Sequence, residues 1–255
     1  METPRSRHTA RLHADRRRTQ ARTRRIVLVT IIGVLAVVTF ALTAFDDSGG
    51  DSGRVANRPT PPPVTAQPPE PQVLAAVGNL RVQSPVARGG ITALGFHGSA
   101  EGPLVLKPLG PQANEGLLAR LWHRITGSSR SGFPWYQLES GELRTLDVGA
   151  VPGTDVYSPV DGTVVALRDQ VVSGRTLGAE IEIRPISAPS LVVKVQSVRP
   201  DPSLTVGANV AAGSSKLGTV TNISRYERQS LARYAPDRGN NVSIQIYPSA
   251  TLGVP

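Results

Sequence analysis

Near the end of this 255-residue chain, Gly239 to Pro248 reads GNNVSIQIYP, where Asn241, Ser243 and Gln245 alternate with Val242, Ile244 and Ile246. Alternation with a period of two places the three polar side chains on one face of a strand and packs the apolar ones on the other. Amide and hydroxyl groups on that face can hydrogen-bond a peptide or a glycan, but they cannot take a proton near pH 7 as a general base must. A solvent-facing side of an edge strand is the competing reading of the same pattern. No histidine follows His123, so the C-terminal half supplies no imidazole as ligand or base. His123 lies beside Trp122 on a helical stripe, where a lone histidine is usually a rim or capping residue, and His97 follows Phe96 in a turn. Neither has His-Glu-x-x-His or His-x-x-Glu-His spacing to a second ligand. There is no Gly-x-Ser-x-Gly elbow, no dinucleotide fingerprint and no Walker loop. With no cysteine, disulfides and thiolate metal ligands are excluded.

Three segments, in order over about 100 residues, carry a family resemblance. The run from Asp147 to Val165, DVGAVPGTDVYSPVDGTVV, is the first; Leu204 to Gly213 followed by Leu217-Gly218 is the second; GNNVSIQIYP is the third. Together they resemble the lysostaphin-type, LytM-like peptidoglycan metallopeptidases, whose motifs read roughly His-x-x-x-Asp with Val-Tyr-Ala-Pro-x-Asp-Gly, then Val-Gly-x-x-Val-x-x-Gly, then Gly-x-His-x-His. The resemblance implies a mainly β fold, a LytM-like duplicated hybrid motif in a sandwich or barrel. It also implies which positions would hold zinc: Leu143, Asp147 and Ser243, with Asn241 at the first His of His-x-His and the remaining catalytic histidine near Gln196 to Val198. Only Asp147 keeps the family's residue type, and a single carboxylate does not bind zinc usefully at neutral pH. The expectation is therefore a domain with no cofactor and no metallopeptidase activity. Asp147, Asn241, Ser243 and Gln245 would form a possible groove or binding face, and peptidoglycan or a wall hydrolase that needs activation would be the partner. Two alternatives stand beside it. One is an active metallopeptidase with a relocated metal site built from His97, His123 and Asp147. The other is an envelope adaptor that docks a membrane protein through exposed β edges without binding the wall. The Gly-Val turns also resemble biotinyl and lipoyl domains, but no Met-Lys-Met hairpin tip is present.

The elements that must position these residues follow from patterning. Glycine and proline are frequent and aromatic residues few, which suits a turn-rich β protein packed by Val, Leu and Ile. Short strands are expected at 84–86, 91–96, 155–157, 163–167, 179–183, 191–198, 217–220 and 241–247. A helix is expected from Asn114, as N-cap, to Thr126, within an insertion at about 98–134. Ser224 with Glu227 three residues on reads as a capping box for a second helix over 225–234. The β domain spans 73–255, with the LytM-like core at about 140–250.

The formal charge is +9, yet residues 1–25 hold nine arginines against Glu2 and Asp15, which accounts for +7 of it. The high charge thus describes a basic tail and not a nucleic-acid-binding face on the folded part. Residues 26–45, IVLVTIIGVLAVVTFALTAF, carry no charge and as a helix would span roughly 30 Å, the thickness of a bilayer's hydrocarbon core. Arginines precede this run and Asp46, Asp47 and Asp51 follow it. The positive-inside rule then gives a single-pass anchor with a cytoplasmic N-terminus and an extracytoplasmic C-terminal domain in the cell membrane. A signal peptide is the rival, though the run is long for one. Residues 46–72 are rich in proline, glycine and serine and read as a disordered spacer.

Overall fold

In a computed structural model, residues 59–99, 102–116, 132–172 and 174–249 are described. The basic tail, the apolar run 26–45, the spacer up to residue 58, the helix expected after residue 116 and His123 lie outside them.

Runs of Val, Leu and Ile bounded by glycine turns form thirteen strands among the described residues. These are β1 (Val73–Val77), β2 (Leu80–Gln83), β3 (Ile91–His97), β4 (Lys107–Pro108), β5 (Tyr136–Gln137), β6 (Thr145–Ala150) and β7 (Asp155–Tyr157). They are followed by β8 (Gly162–Val172), β9 (Arg175–Pro185), β10 (Leu191–Pro200), β11 (Asn209–Val210), β12 (Lys216–Val220) and β13 (Asn241–Pro248). A large sheet runs in the order β11-β8-β9-β10-β13-β6-β3-β5, with β12 joining β10 to β7, and a small sheet has the order β2-β1-β4. The large sheet ends in β11 and β5, so the barrel alternative is not realised: no closed barrel forms among the described residues.

Alternate residues of the central strands build the core. Leu146, Val148, Val193, Val195, Val242, Ile244, Ile246, Ile181 and Ile183 are all buried in one cluster, which also takes Leu74, Leu80 and Val82 from the small sheet. Burying aliphatic side chains of this size contributes about 1.5–3 kcal/mol each before chain entropy is counted. Placing β13 between β10 and β6 overturns the edge-strand reading of GNNVSIQIYP. Both flanks of that strand are hydrogen-bonded, and Asn241 and Gln245 are buried.

Three further expectations change. The 84–86 strand is instead a turn after β2, in which the Ser84 hydroxyl donates to the Val86 carbonyl at 2.7 Å. Asn114 caps nothing in the described residues. Its side-chain oxygen accepts the Gln137 N–H at 3.0 Å and its amide donates to the Gln137 carbonyl at 2.7 Å, imitating a strand pairing beside β5. The helix expected over 225–234 is replaced by two 3-10 turns, Ile223–Arg225 and Ser230–Arg233. The Ser224 N–H is taken by the Asn240 side chain at 2.9 Å, and no side chain caps either turn. The part of the spacer that is described is also not free. The Val64 N–H donates to the Thr154 hydroxyl at 3.3 Å, Ala66 N–H donates to Asp155 Oδ2 at 2.7 Å, and Val64 accepts from Asp155 N–H. The motif that suggested the fold therefore also grips the chain leading into it.

The second 3-10 turn is held by a fit between one large residue and two missing side chains. Leu231 is fully buried on the face of β3 and β6 opposite the core, packed with Ala93 and Ala235. A Cβ added to Gly95 or to Gly149 would lie 2.8 Å from a Leu231 methyl. Glycine at both sites is what lets the turn approach the sheet. Replacing Leu231 with Ala should lower unfolding free energy by about 2–5 kcal/mol in denaturant titrations, because the tight glycine floor cannot collapse into the void.

Candidate functional site

On the face of the large sheet turned away from the core, strand register aligns the polar residues in rows. Asp147 in β6 stands opposite Ser243 in β13 and Gly95 in β3, while Thr145 stands opposite Gln245 and His97. Ser243 is in turn opposite Gln196, and Gln245 opposite Lys194, in β10. The expected face of Asp147, Asn241, Ser243 and Gln245 is thus one surface, but its members bond neighbouring protein groups.

Asp147 is only 5% exposed, so both carboxylate oxygens must find donors inside the protein. Oδ1 accepts from the Ser243 hydroxyl at 2.7 Å. Oδ2 lies 3.2 Å from His97 Nε2. His97 is a diagonal neighbour of Asp147 across the β3–β6 ladder, where Gly95 stands directly opposite the carboxylate and Thr145 directly opposite His97. The sequence placed His97 in a turn; it is instead the last residue of β3, sharing a face with Ala93 and Gly95. Of the two histidines considered for a relocated metal site, His97 does reach Asp147, and His123 lies outside the described residues.

The ring's other nitrogen decides its protonation. Nδ1 is 2.6 Å from the Gly98 carbonyl, which can only accept, and Nε2 faces a carboxylate, which also accepts. Both nitrogens must carry hydrogen for both contacts to be bonds, so the geometry calls for an imidazolium. Burial opposes the charge, but the hydrogen bond to Asp147, its negative charge, the Gly98 carbonyl and the more distant Glu139 outweigh it. They raise the His97 pKa to about 9.

This arrangement has limited chemical options. An imidazolium has no lone pair for a metal or for proton abstraction. Ser243 donates to a carboxylate and not to a histidine, so the order His–Asp–Ser is not that of a nucleophile activated by a base. Zinc fits poorly: the positions implied by the resemblance are Leu143, Asp147 and Ser243, and no cluster of three or more His, Cys, Asp or Glu residues disposed to hold a metal occurs among the described residues. Leu143 packs against the core, and its carbonyl accepts the Leu106 N–H. Near the position of the remaining family histidine, the Gln196 amide donates to Glu180 at 2.6 Å. Ser197 occupies a bulge at φ +63°, its N–H donating to Gln170 Oε1 at 2.7 Å.

The rest of the face is similarly committed. Gln245 donates to Thr145 Oγ1 at 2.9 Å and to Ser99 Oγ at 3.2 Å, and it accepts from the Tyr247 hydroxyl at 2.8 Å. Asn241 donates to the Gly239 carbonyl at 2.9 Å and to Gln229 Oε1 at 3.3 Å, which ties the strand to the 222–240 connection. Gln229, Tyr136 and Tyr234 carried no motif. The stacked pair of tyrosines, 4.1 Å apart and 14° from parallel, is formed by residues 98 positions apart and has no local signature.

No family model matches the chain, and no curated protein matches it. Its neighbours among solved structures include lysostaphin, with 16% identity, a TM-score of 0.32 and coverage of 43% of this chain and 38% of that one. Csd3 of Helicobacter pylori shares 15% identity at a TM-score of 0.33, over 66% of this chain and 31% of that one. The M23 metalloprotease pseudoalterin shares 13% at 0.34, over 67% and 72%. The chain thus spans about a third of the lengths of lysostaphin and Csd3. At these identities and TM-scores, the chemistry of the site rests on its own residues.

The His97–Asp147 pair gives a pH signature. The folded-state pKa of His97 lies above its unfolded value of 6.5, so the folded state holds the proton more tightly. The resulting stability is complete below about pH 6.5 and is lost as pH rises through about 9. Unfolding midpoints measured across that window should fall in the native protein, by an amount corresponding to a few kcal/mol at most (about 1.4 kcal/mol per unit). The slope should flatten in His97→Gln.

Proposed function

We propose that this chain is a membrane-anchored envelope protein whose extracytoplasmic β domain has a LytM-like scaffold and acts as a binding or regulatory module and not as a peptidase. Peptidoglycan, or a wall hydrolase that needs activation, is the proposed partner. The observation that carries the non-enzymatic part is the saturation of Asp147: one oxygen takes the Ser243 hydroxyl and the other faces His97. To ligate a metal through Oδ2 this carboxylate would have to give up its pairing with protonated His97, and breaking a buried pair costs about 3–5 kcal/mol. The membrane placement is supported by the apolar run at 26–45 and the arginines before it. The wall as ligand is supported by the three ordered sequence motifs.

A second reading draws on the closeness of His97 to Asp147. Two donors 3.2 Å apart could share one ion, which would suit the relocated metal site. Catalytic zinc sites use three protein ligands, however, and the described residues offer no third.

Two measurements on the purified full-length protein separate these readings. Metal analysis should find no stoichiometric, tightly held zinc; one zinc per chain that survives dialysis would overturn the proposal in favour of the enzyme. Sedimentation with purified cell wall should carry the protein down. Failure to sediment, together with an absence of zinc, would favour the adaptor that binds a membrane protein instead.

A further inference from the structure

The small net charge of the folded part conceals a local concentration. The connection between β12 and β13, residues 222–240, carries Arg225, Arg228, Arg233 and Arg238 against Glu227 and Asp237. Asp237 is buried, and the Thr92 hydroxyl donates to its Oδ1 at 3.2 Å. Arg228 and Arg233 are exposed, and among the described residues neither has an ion pair or a side-chain hydrogen bond. They line one cavity of about 480 Å³ with Gln229, Ser230, Tyr234 and Leu138, and no carboxylate of the described residues lines it. That size lies within the range of small-ligand pockets.

The cavity is built on an anchored floor. Leu231, fully buried on the sheet, fixes the turn that carries Arg233. Tyr234 is stacked on Tyr136, and Gln229 is bonded to Asn241. A surface arginine is ordinarily just a solvated charge. Two without counter-charges in one cavity, on a backbone already ordered, make a guanidinium site whose ordering cost is partly met before a ligand arrives.

We propose that this cavity binds an anion, a phosphate or carboxylate group carried by a small ligand. Both groups match the planar donor fork of arginine. The proposal is independent of how the Asp147 site is read, since it uses none of its residues.

Calorimetric titration of the full-length protein at low salt with inorganic pyrophosphate and, separately, with citrate tests it. Binding of at least one is expected; pyrophosphate alone would identify a phosphate site, citrate alone a carboxylate site, and both a site that reads the shared geometry. The double variant Arg228→Gln with Arg233→Gln should weaken binding by about tenfold or more. Arg225→Gln with Arg238→Gln, which removes the same charge from the same connection, should change it by less than about twofold. Matching thermal melts would show that both variants fold. Binding of neither anion, or an equal loss in the two double variants, would overturn the proposal.

Discussion

A carboxylate removed from water must have both oxygens satisfied, and the centre of this domain is arranged around meeting that demand for Asp147. The strand order β13-β6-β3 places a donor on each side: Ser243 directly opposite and His97 on the diagonal. Charge-assisted hydrogen bonds of this kind contribute about 1.5–3 kcal/mol each, and losing His97 would leave the Asp147 charge without its counter-ion in a low-dielectric interior. Ser243 and His97 therefore constrain one another through a residue that neither of them neighbours in sequence.

The glycines beside it answer a packing demand. Gly95 and Gly149 let Leu231 close over the neighbouring row, with Leu138 also lying over Gly95. The connection that carries Leu231 then reaches Asn241 through Gln229, so the polar face is covered at one end and internally bonded along its length. A face that would be an open groove if its groups pointed to solvent becomes a second, polar layer of packing. The arginines of that connection, Arg225, Arg228, Arg233 and Arg238, are all exposed.

Much of the scaffold was legible in the sequence because its signals are local. Alternation over 241–247, glycine turns around 159–162 and 211–213, and the ordered motifs fixed the strand positions and put Asn241, Ser243 and Gln245 on one face. What could not be read there is pairing. Nothing local to GNNVSIQIYP distinguishes an edge strand from one flanked by β10 and β6. The position of His97 beside Asp147 depends on a ladder between residues about fifty apart. The false helix at 225–234 had a correct local signal in Ser224 and Glu227. That signal lost to Asn240, which takes the Ser224 N–H, and to the burial of Leu231 on the glycine floor. Tertiary contacts overrode a weak propensity.

The claim on which the rest turns is that Asp147 is balanced by a doubly protonated His97. Nitrogen-15 NMR of the His97 side chain observes this directly. At pH 7 both ring nitrogens should be protonated, with one ring proton lost only as pH approaches about 9 and the signal altered by Asp147→Asn. A neutral ring at pH 7, or a nitrogen signal that changes when a chelator removes metal, would contradict it.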